Sequence, residues 1–274
     1  MPQNESNIDN IKSFAESSIE RDLDGLLLTL WDDDSPHFEL YGRGIAAFAE
    51  YAWAGAKTSK SEVKEKYRER SFGNILADSS YAFIDLLEGP VAFWKNALLE
   101  EGEQRNNLRK YDNPIGEAVI EMPDRNVIGQ WSERYEQRLE QARQHLQTTK
   151  DVELKIAKAI ENSSRNQYTL EVYEQVNQLI KFSLESLLTL ESYDRASAEN
   201  VENALRDVKA LSGQFKELRD ELELVYGRSR ILEKPLNYKL DQDHHTHNAN
   251  QSLNFDWQFY PEMLMLKKID TKLL

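Results

Sequence analysis

The chain has 274 residues, no cysteine, and a formal net charge of −14 from 48 acidic against 34 basic residues. That length is enough for a substantial core in one or two domains, and the lack of cysteine excludes disulfides, thiolate metal sites and a cysteine nucleophile. An acidic surface repels phosphate backbones, so nucleic acid is not an expected partner, and 40% hydrophobic with 10% aromatic residues is too apolar for disorder.

Met1-Pro2-Gln3-Asn4-Glu5-Ser6 lacks the basic and apolar regions of a secretory signal, and no apolar run is long enough to span a bilayer. A cytoplasmic location with no membrane partner is expected. Ile8, Ile11, Phe14, Ala15 and Ile19 recur at helical spacing behind Asn7, a suitable N-cap, and predict an amphipathic helix over 8–20. Leu26 to Leu30 is a continuous apolar run of strand length and predicts a strand covered on both faces, as in parallel sheets. After the polar loop 32–41, Ile45, Phe48, Ala49, Ala52 and Trp53 make one apolar stripe and predict a second helix. No further strand of this type follows, so only about the first 55 residues have α/β character.

Ser59 or Ser61 is placed to cap a helix through Val63, Tyr67 and Arg70, with Phe72-Gly73 as an αL stop. Shorter helices over 79–88 and 91–101 flank Gly89-Pro90. Asn113-Pro114, Gly116 and Met122-Pro123 make 105–124 irregular, with Ala118-Val119-Ile120 a short extended segment. Residues 126–227 read as three or four long helices, with breaks near 148–151, 163–166 and 193–197. Val208, Leu211, Phe215, Leu218, Leu222 and Val225 alternate steps of three and four, the period of a buried seam, and Tyr173, Val176, Ile180, Leu184 and Leu187 form a matching stripe. Past Gly227, the aromatics Phe255, Trp257, Phe259 and Tyr260 are expected to fold back onto the bundle or the first 55 residues. The expected organisation is three segments: 1–55, 56–125 and 126–274.

Chemistry concentrates in Trp31-Asp32-Asp33-Asp34 and the loop carrying His37 and Glu39. An indole face suits the C–H face of a sugar ring, and a neighbouring carboxylate accepts two hydroxyl hydrogen bonds. The residue types leave another reading open, with Trp31 in the core, Asp34 capping the next helix and Asp32 solvated. Asp243, His244, His245 and His247 are of zinc-ligand type, but adjacent loop positions rarely converge on one ion, so no metal or other cofactor is assigned.

Leu26 to Trp53, about a tenth of the chain, resembles the eighth strand and eighth helix of family 20 glycoside hydrolases, the β-N-acetylhexosaminidases. The resemblance implies a mainly α chain: a final α-β-α unit of a (β/α)8 barrel, with residues 8–20 as the seventh barrel helix, followed by a long-helix bundle domain. It implies that Trp31 closes the wall of a sugar subsite and that Asp33 accepts the 4- and 6-hydroxyls. Asp33 stands where many members carry Glu, with Asp32 and Asp34 beside it able to share that role. The family's substrate-assisted mechanism uses an Asp-Glu pair on a mid-barrel strand, whereas Asp220-Glu221 here lies in a heptad helix and reads as solvated surface. No catalytic residue is therefore expected. The implied function is the C-terminal segment of a β-N-acetylhexosaminidase-like glycosidase, inactive alone, whose partners are an N-acetylhexosamine glycan and a complementary chain carrying the rest of the barrel. The competing reading is a non-enzymatic helical scaffold or interaction protein.

Overall fold

The computed structural model describes residues 5–30, 38–105, 108, 118–235, 237 and 255–273. Among these the protein is mainly helical and contains no strand: α1 (Ser6–Glu20), α2 (Gly42–Ala54), α3 (Lys60–Phe72), α4 (Phe83–Leu86), α5 (Glu88–Trp94), α6 (Gln130–Arg134), α7 (Glu136–Asn162), α8 (Gln167–Arg195), α9 (Val201–Tyr226) and α10 (Tyr260–Lys272). The described residues include no helix long and apolar enough to cross a membrane. Two compact units emerge, one from Met1–Glu88 with Lys150–Glu174 and one from Gly89–Thr149 with Gln175–Leu274.

The expected strand at Leu26–Leu30 is absent, and no barrel unit is supported. Leu26 is half-buried against the cluster of Ile8, Ala15, Ala47, Tyr51 and Val63, while Leu27 is 84% exposed. A strand needs a hydrogen-bonded ladder, and among the described residues this run has none.

In the first unit, α1 starts at Ser6 without the expected Asn7 cap. Its free N–H groups are met from a distance: Glu88 Oε2 accepts from the backbone N–H of Glu5 at 2.7 Å and of Ser6 at 3.2 Å, and Glu88 Oε1 accepts from Ser6 Oγ at 2.7 Å. Helix α2 buries Ala47, Tyr51 and Arg43, not the predicted stripe. Of that stripe, Ile45 and Phe48 are half-buried, and Ala49, Ala52 and Trp53 face outward, Trp53 at 94% exposure. Ser59 caps α3 in a full capping box with Glu62. The helix ends at Gly73 with φ +96°, a positive φ outside the αL region. A ladder of rings, Tyr67–Phe72–Tyr81–Phe83–Tyr173, runs through this unit with centroid spacings of 5.3–6.1 Å.

In the second unit Pro90 falls in the first turn of α5, which ends at Trp94, so the expected helix over 91–101 is cut short. Leu99 instead forms an isolated antiparallel bridge with Val119, confirming the short extended segment there. The expected break at 148–151 does not occur. No Gly or Pro is present, and Thr149 is accommodated inside the helix by donating to the Leu146 carbonyl at 2.9 Å. The breaks at 163–166 and 193–197 are found. The α9 seam is buried as predicted from Val208 to Leu222, with Tyr226 rather than Val225 closing it. The tail folds back within this unit: Phe259 meets Phe215 at 5.4 Å and leads into α10, a helix the sequence reading did not anticipate, with Pro261 in its first turn. Its Glu262 has a side chain with no exposed surface and is enclosed by Arg105, Trp94 and Ser183.

Candidate functional site

Trp31, Asp32, Asp33, Asp34 and His37 lie outside the described residues, as do Asp243, His244, His245 and His247. Glu39 is described, in the 3-10 turn Phe38–Tyr41. Asp220 and Glu221 are exposed on α9, and Asp220 accepts from Lys216 at 2.7 Å.

What the structure does assemble is a groove in the first unit, about 500 Å³ in volume, between α2 and α3. This is within the range of small-molecule sites. Its α2 wall is Gly42, Ile45, Ala46 and Ala49, and its α3 wall is Val63, Lys66, Tyr67 and Arg70. Both sets follow the i, i+3/i+4, i+7 spacing that places side chains on one helix face. The space exists because Gly42, Ala46 and Ala49 carry little or no side chain where a core helix would present Leu or Ile. Gly42 also allows the helices to close at that end, where an added Cβ would stand 3.0 Å from Tyr67 Oη. Phe72 and Phe38 contribute further apolar surface, and Asn166 and Thr169 from the start of α8 line the remaining side. Asn166 is fixed by donating from Nδ2 to the Ser71 carbonyl at 2.7 Å.

Charge at this groove is partly committed. Lys66 Nζ binds Glu50 Oε1 at 2.6 Å, and Thr58 Oγ1 donates to the same carboxylate at 3.0 Å. The Lys66 ammonium and then the Thr58 hydroxyl hold the Glu50 carboxyl below its ordinary value. Arg70 is exposed, and its guanidinium has no hydrogen bond or ion pair among the described residues.

A second polar cluster secures the N-terminus of α1. Glu5 pairs with Lys60 at 2.8 Å and closely with Lys64, with Arg43 at 3.9 Å, while Asp85 binds Arg43 closely and Lys64 at 3.0 Å. Burial acts to raise the Glu5 carboxyl, but the hydrogen bonds from Lys60 and Lys64 outweigh it and bring it down to about 2. These ion pairs tie the start of α1 to α2, α3 and α4, as a structural clamp does.

The apolar stripe of Ile45, Phe48, Ala49, Ala52 and Trp53 predicts a helix and does not by itself mark the groove. The available signal was the small-residue series Gly42, Ala46 and Ala49, opposite a helix whose matching face carries Lys66 and Arg70. Compared with family models, with curated proteins and with solved structures, the chain matches none.

Proposed function

We propose that the protein acts by binding, as a non-enzymatic helical interaction protein, with the α2/α3 groove as its ligand site. The observation that carries this is the open apolar groove of about 500 Å³, whose ion pair at Glu50 and Lys66 is closed on itself. The glycosidase-segment reading keeps the resemblance of Leu26–Trp53 as its support and gains none from a run at Leu26–Leu30 that supplies no strand. The test is an NMR titration of the full chain, labelled at alanine methyls, with decanol as a neutral apolar probe. Saturable shifts at Ala46 and Ala49 are expected, and the Ala46 shift should vanish in Ala49→Trp, which fills the groove from an exposed position. Shifts absent from both methyls, or an Ala46 shift unchanged in Ala49→Trp, would overturn the reading.

A further inference from the structure

We propose that the groove selects an amphipathic carboxylate, with Arg70 as the group that recognises its anionic end. This rests on the binding reading above and adds the ligand's chemical class. From Gly42 to Ala49 the α2 wall is about 10 Å long at 1.5 Å per residue, too short to seat an extended interaction helix but suited to a compact chain or ring. Ala46, Ala49, Ile45 and Phe72 supply an apolar lining that favours a hydrocarbon body through burial of its surface.

The polarity of the ends fixes the rest. Lys66 is held at 2.6 Å by Glu50, so that pair offers an incoming ligand little net charge. Arg70 follows one turn further along the same helix face and lines the same groove; it makes no hydrogen bond or close ion pair among the described residues and feels the Glu50 carboxylate only through longer-range Coulombic attraction. A guanidinium presents a planar fork of N–H donors that matches a carboxylate in two parallel bonds. The Thr169 hydroxyl, half-buried on the adjoining side, is a further donor. The opposing charges at this groove are Glu50, paired with Lys66, and Glu39, which already has an interaction of its own.

The experiment compares decanoate, decanol and decyltrimethylammonium by calorimetry on the full chain, with the Ala46 and Ala49 methyl shifts locating each. Decanoate is expected to bind most tightly. Arg70→Ala, at an exposed helical position, is expected to weaken decanoate about tenfold more than it weakens decanol. Equal affinity for decanoate and decanol, or no effect of Arg70→Ala on decanoate, overturns the carboxylate assignment while leaving the binding reading in place. Preference for the ammonium probe overturns it too, and assigns recognition to Glu39. Absence of any binding removes both.

Discussion

The indole N–H of Trp94 donates to Oε1 of Glu262 at 2.9 Å across 168 positions of sequence. Arg105 completes the arrangement, with Nη1 at 3.0 Å from Oε2 and Nη2 at 2.7 Å from Oε1, while its guanidinium lies 3.8 Å over the Trp94 ring and Ser183 Oγ donates to Oε1 at 2.8 Å. A buried charge of this kind is tolerable only because each partner is present. Glu262→Ala is therefore expected to cost the second unit about 3–5 kcal/mol, by leaving Arg105 uncompensated. The double change Arg105→Met with Glu262→Met should recover most of that loss in denaturant titrations. Equal damage from single and double variants would contradict a charge-pairing role.

Acid should loosen the first unit at α1. The Glu5 carboxyl falls from its ordinary 4.5 to about 2 in the folded chain, so its contribution is complete above about pH 4.5 and is lost as pH falls towards 2. Its side chain is more than a third exposed, and solvent screening reduces the contribution to about 1 kcal/mol. Amide protection factors in α1, taken relative to the intrinsic exchange rate at each pH, should fall between pH 4.5 and 3, and Glu5→Gln should flatten that dependence. An unchanged pH profile in Glu5→Gln would remove Glu5 from the clamp.

Gly73 tests the α3 terminus. Its φ of +96° disfavours any side chain, and an added Cβ would stand 2.6 Å from Ser164 Oγ. Gly73→Ala should cost about 2 kcal/mol, and Ser164→Ala in the same chain should return the steric part and leave the backbone part. Thermal melts of the two variants separate these contributions.

Tyr51 is fully buried, and its hydroxyl has no hydrogen-bond partner among the described residues. Burial pushes that phenol up from its ordinary value. Tyr51→Phe should be neutral or stabilising by up to about 1 kcal/mol, since an unsatisfied buried hydroxyl is removed with little change of shape. A melting temperature lowered by several degrees would reveal a partner for the hydroxyl.

An aryl N-acetylglucosaminide tests whether the chain by itself carries a working sugar site. The purified chain is expected to show no turnover. Turnover abolished by Trp31→Ala or Asp33→Asn would restore those two residues as parts of a working sugar site.

Periodicity made the long helices legible, because α8 and α9 bury continuous stripes whose spacing is set by the helix itself. Ser59 was legible as one of two candidate caps of α3 for the same local reason, and Glu62 completes its capping box. The errors fell where tertiary context decides. Leu26–Leu30 has the composition of a strand but no partner to pair with, and Asn7 lost its capping role to Glu88, a residue no local pattern connects to it. The groove was hidden by a similar ambiguity. An apolar stripe on α2 reads the same whether a neighbouring helix covers it or leaves it open, and only the placement of α3 distinguishes the two.

The discontinuity of the first unit also sets the order in which the chain becomes able to fold. Its ring ladder ends on Tyr173, which meets Phe83 at 5.4 Å, and its chain is completed only by Lys150–Glu174. At 5–20 residues per second of synthesis, the segment ending at Glu88 waits on the order of ten seconds for that closing piece. Through this interval α1 to α4 lack their closing segment, so the nascent chain exposes apolar surface that the finished one buries.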